Sequence, residues 1–78
     1  MHMTASELDD AFFNRVRGVC NEYPDDEEIQ LIINRLNDFT PTSHFWLNFA
    51  QSLALIEMKY GRNVRDLVCY AERRGTGF

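Results

Sequence analysis

Seventy-eight residues, 45% apolar and 26% charged, describe one small soluble domain whose core can suffice without staples. A 13% aromatic share favours packing over disorder, and four Gly, two Pro and few Thr/Val runs argue against an all-β fold. A net charge of −4 makes nucleic acid a poor first partner, and no run of about 18 apolar residues exists to span a membrane.

Cys20 and Cys69 are too few for a disulfide scaffold, and no signal peptide precedes them. A reduced, cytoplasmic protein follows as the expectation. The charge is uneven. Residues 1–38 carry nine acids against three bases, a net of −6, while residues 39–78 carry three against five, a net of +2. Either the two ends attract each other across the fold, or two faces of opposite potential exist and one meets a partner.

Met1-His2-Met3 reads as a cloning remnant before a native start at Met3, which removes His2 from any site. The first helix is expected from about Thr4 to Asn21. Thr4 with Glu7, or Ser6 with Asp9, fits a reciprocal N-terminal cap. Leu8, Phe12, Val16, Val19, Cys20 and Tyr23 recur at three- and four-residue steps as one apolar stripe. Gly18 interrupts the helix interior and would admit a close neighbour.

Tyr23-Pro24 ends that helix, because the residue before a proline is pushed out of the helical region. Asp25 with Glu28 suggests the cap of a second helix running to about Asp38, with Asp25, Asp26, Glu27 and Glu28 in its first turn. Ile29, Ile32, Ile33, Leu36 and Phe39 form its inner stripe. Leu31 lies off that stripe, on the side of Glu27 and Arg35.

The longest apolar, helix-compatible run is Pro41–Gly61. Thr40 is its expected cap, Pro41 takes the first helical position, and Gly61 takes the left-handed turn that ends it. At 100° per residue, His44, Asn48, Gln51, Ser52 and Lys59 share one polar arc, and apolar residues fill most of the rest. Such a helix needs cover on two or three sides. Asn63 with Asp66 then caps a fourth helix to about Arg74, with Val64, Leu67, Val68 and Ala71 inside. The expected fold is all-α: a compact four-helix domain over 4–74, packed around the central third helix, with 75–78 as a frayed tail.

Two residues of the third helix break its pattern. Glu57 falls in the apolar arc. It is either a tuned acid or a contact for a partner's Arg, or, on the structural reading, it pairs with Arg62, Arg65 or a Tyr hydroxyl. Leu55 falls in the polar arc and, with Leu31, suggests a small self-association or partner patch. Cys69 has Arg65 and Arg73 four residues either side, cations that activate a thiolate. No base or second nearby cysteine accompanies it, so a bystander role is favoured. His44 lacks a second ligand at metal-binding spacing, Asp25–Glu28 lacks the pattern of a calcium loop, and no phosphate loop or catalytic triad is present. No cofactor is expected.

The leading expectation is a small acidic, non-enzymatic protein-binding module, an inhibitor or regulator. Glu7, Asp10, Asp25, Asp26, Glu27, Glu28, Leu31 and Leu55 would meet a basic surface on another protein, with a homodimer as a further option. Short acidic helical proteins among phage and plasmid inhibitors, antitoxins and adaptors are similar in size and charge, an analogy and nothing more. The alternative is a helix-turn-helix DNA-binding regulator built on the third and fourth helices, using Arg62, Arg65, Arg73 and Arg74. Glu57, four before the turn glycine where that motif prefers a small residue, counts against it.

Overall fold

The computed structural model describes residues 4–38 and 42–77. Among them are four helices and no strand: α1 (Ala5–Asn21), α2 (Glu27–Asn37), α3 (Ser43–Tyr60) and α4 (Arg65–Thr76). The all-α expectation holds. The chain divides into two compact units, Met1–Leu36 and Asn37–Phe78.

In the first unit, Thr4 caps α1. Its hydroxyl oxygen accepts from the Glu7 amide at 3.2 Å and its O–H donates to Glu7 Oε1 at 3.1 Å. Thr4 is thus the expected cap, with Glu7 answering through the Thr4 hydroxyl rather than its backbone amide. The other end tightens through the Glu22 and Tyr23 amides, which donate to the Val19 and Cys20 carbonyls at 3.1 Å. Phe12, Val16, Val19 and Cys20 are buried, but Leu8 is exposed and drops out of the expected stripe. It sits one turn inside the helix start, where fewer neighbours can cover it. Gly18 meets nothing within 4 Å of where a Cβ would stand, so no neighbour uses the gap.

Asp26, not Asp25, caps α2. Its carboxylate accepts from the Glu28 and Ile29 amides at 3.0 and 3.2 Å, which starts the helix at Glu27. Ile29, Ile32 and Leu36 are buried and Ile33 is half-buried. The Gln30 amide group donates to the Tyr23 carbonyl at 3.1 Å and the Cys20 carbonyl at 3.4 Å. It thereby ties α2 to the end of α1, sharing two carbonyls that also accept from the Tyr23 and Asp26 amides.

In the second unit, Thr42 caps α3 by accepting from the Phe45 amide at 3.3 Å. The expected start, two residues earlier, rested on Thr40 and Pro41; these, with Phe39, lie outside the described residues. Gly61 ends α3 at φ 65° and ψ 17°, donating its amide to the Glu57 carbonyl at 2.9 Å. That left-handed conformation costs other L-residues roughly 1–2 kcal/mol. Asn63 acts one residue outside the helix: its side-chain oxygen accepts from the Arg65 amide at 3.3 Å, and the cap position itself is the buried Val64.

α3 and α4 pack closely against each other. Trp46, Phe49, Ala50, Leu53 and Ile56 of α3 and Val64, Leu67, Val68 and Ala71 of α4 are buried. Trp46 and Tyr70 meet edge to face, with centroids 5.9 Å apart. The Arg74 guanidinium stands 5.1 Å from the Trp46 ring centroid. α4 runs to Thr76, two residues beyond the expected end, and Gly75 is buried. A Cβ on Gly75 would stand 2.8 Å from Leu47 Cγ and Cδ2 and 3.3 Å from the Ser43 carbonyl oxygen. Glycine here lets the start of α3 approach the end of α4. Of the cover expected for the third helix, α4 supplies one side.

Two glycine-to-alanine changes should therefore have opposite signs. Gly18→Ala adds helix propensity in open space and should stabilise by up to about 1 kcal/mol. Gly75→Ala drives a methyl into Leu47 and the Ser43 carbonyl and should destabilise by about 1 kcal/mol or more. Urea midpoints measure both; a stabilised Gly75→Ala protein would contradict the close approach.

Candidate functional site

The six acids expected to form one surface have divided tasks. Glu7 and Asp26 are engaged in helix caps. Asp10 is exposed on α1. Asp25, Glu27 and Glu28 are exposed before and in the first turn of α2. Leu31 follows Glu27 by four residues and Glu28 by three, so it neighbours both on the outer face of α2. It is 53% exposed. Glu27, Glu28, Leu31, Asn34 and Arg35 thus form one outward strip, a leucine bordered by charge. Residues 1–36 carry eight acids against three bases, a net of −5.

Leu55 is 56% exposed on α3, as its place in the polar arc implied. It has company that the arc reading missed. Met58 is 82% exposed, and Leu47 is exposed as well. Both lie at the border of the polar arc, Leu47 at 40° and Met58 at 60° when Ser43 is 0° and helical residues step by about 100°. Leu47 packs on Gly75 of α4 as well, so Met58 is the more open of the two.

The two residues held back for chemistry resolve differently. Glu57 Oε2 lies 3.2 Å from Arg65 Nη2, which makes it an ion pair within the hairpin. With the Arg mostly exposed, such a pair contributes about 1 kcal/mol or less. Cys69 is exposed on the outer side of α4, and both cysteines are free thiols. Burial pushes the Cys20 thiol up to about 11. Among the described residues no group of three or more His, Cys, Asp or Glu lies together to hold a metal ion. No helix described is long and apolar enough to cross a membrane.

Two of the four arginines make contacts within the hairpin. Arg65 faces Glu57, and Arg74 is half-buried over Trp46. Arg62 and Arg73 are exposed towards opposite ends of the α4 segment, with Asp66 and Glu72 exposed beside them. The hairpin geometry also differs from a DNA-reading pair. Contacts run from Glu57–Arg65 near the turn to Trp46–Arg74 and Leu47–Gly75 at the far end. That is about 14–16 Å along each helix. Helices diverging at about 90–120°, as in a helix-turn-helix, would by then stand roughly 15–20 Å apart, beyond the 8–10 Å of packed helices. α3 and α4 instead lie side by side and antiparallel.

Comparison of the chain with family models, curated proteins and solved structures finds no match. The functional reading rests on the surfaces described above.

The cysteines offer a direct check. In the folded protein one thiol, Cys69, should react promptly with a disulfide reagent and Cys20 only on unfolding; two prompt thiols would contradict the burial of Cys20. In the unfolded chain the Cys20 thiol ionises near 9.0. Its contribution to stability is therefore full below that pH and is lost as pH rises through about 11. The difference in alkaline denaturation between the parent and Cys20→Ala should show that loss in the parent alone.

Proposed function

We propose that this chain is a non-enzymatic protein-binding module, an inhibitor or regulator that meets a basic surface on another protein. The observation that carries the reading is Leu31, a half-exposed leucine beside the Glu27 and Glu28 carboxylates on the outer face of α2. An apolar contact with a charged border is how protein interfaces are built. The carboxylates speed encounter with a cationic partner and select against acidic ones, while the leucine slows release. Asp25 and Asp10 extend the acidic surface, and Glu7 and Asp26 add charge while serving as caps. Two free thiols suit a cytoplasmic setting. No observation on α3 and α4 favours the nucleic-acid alternative.

The test is affinity capture from the native host with crosslinking mass spectrometry, comparing the parent with Glu27→Lys/Glu28→Lys. Asp26 stays unchanged because it caps α2. The expected partner crosslinks through its own lysines to the carboxylates of α2, and its capture weakens as salt rises. The charge-reversed protein should lose it. Recovery of the same partner with the same salt dependence by the reversed protein would remove this surface from the account.

A further inference from the structure

We draw no further inference here: the strongest candidate, the surface patch that the exposed Leu55 and Met58 form on the outer face of α3, carries nothing because nothing in the structure shows what covers it.

Discussion

The contact on which the second unit depends is Trp46 against α4. One large ring meets Tyr70 at its edge and Arg74 at its face, and is 2% exposed. Burying such a ring contributes several kcal/mol, and the cation over it adds about 0.5–2 kcal/mol. This contact sets the register of the hairpin. With Trp46 opposite Tyr70 and Arg74, the next residue, Leu47, must pass over position 75, and a side chain there would block it. At the other end the same register brings Glu57 to Arg65. The left-handed Gly61 makes the reversal between them short.

Register also decides which residues of α3 face away. Helix geometry gives each side chain one direction, and α4 claims the side of Trp46, Leu47 and Glu57. Leu55 and Met58 are left outside with Gln51 and His44. Their exposure is therefore a consequence of the hairpin, not a local irregularity. In the first unit the logic is similar on a smaller scale. Asp26 fixes where α2 begins, the beginning fixes that Ile29, Ile32 and Leu36 turn inward, and Leu31 is then outward beside Glu27 and Glu28. Both candidate surfaces are by-products of where a helix starts and what its inner side must cover. One is acidic; the other lacks acids.

Much of this was legible in the residues. Thr4 with Glu7 marked the first cap, Gly61 marked the reversal, and Leu31 and Leu55 stood out as off-pattern. The helix starts were displaced because several capping residues stand in a row. Asp25 and Asp26 are chemically alike, and only backbone conformation selects one. Asn63 donates its effect from outside the helix, which a pattern cannot separate from a cap. Gly75 was assigned to a tail because glycine usually stops helices. Its spacing of four from Ala71 and seven from Val68 continues the buried stripe, and that signal was present but weaker. Met58 was placed among the apolar residues because the third helix is apolar over so much of its circumference. Which part of a broad apolar arc is covered depends on where the neighbour sits, and no single helix records that.

The central claim is that α4 closes one side of α3 at Trp46 and leaves Leu55 and Met58 exposed on another. Relaxation by a soluble paramagnetic chelate, read in one spectrum of the dilute protein, tests it directly. The account predicts a shielded Trp46 indole together with strongly relaxed Met58 and Leu55 methyl groups. An indole as relaxed as those methyls, or methyls as shielded as the indole, would contradict it.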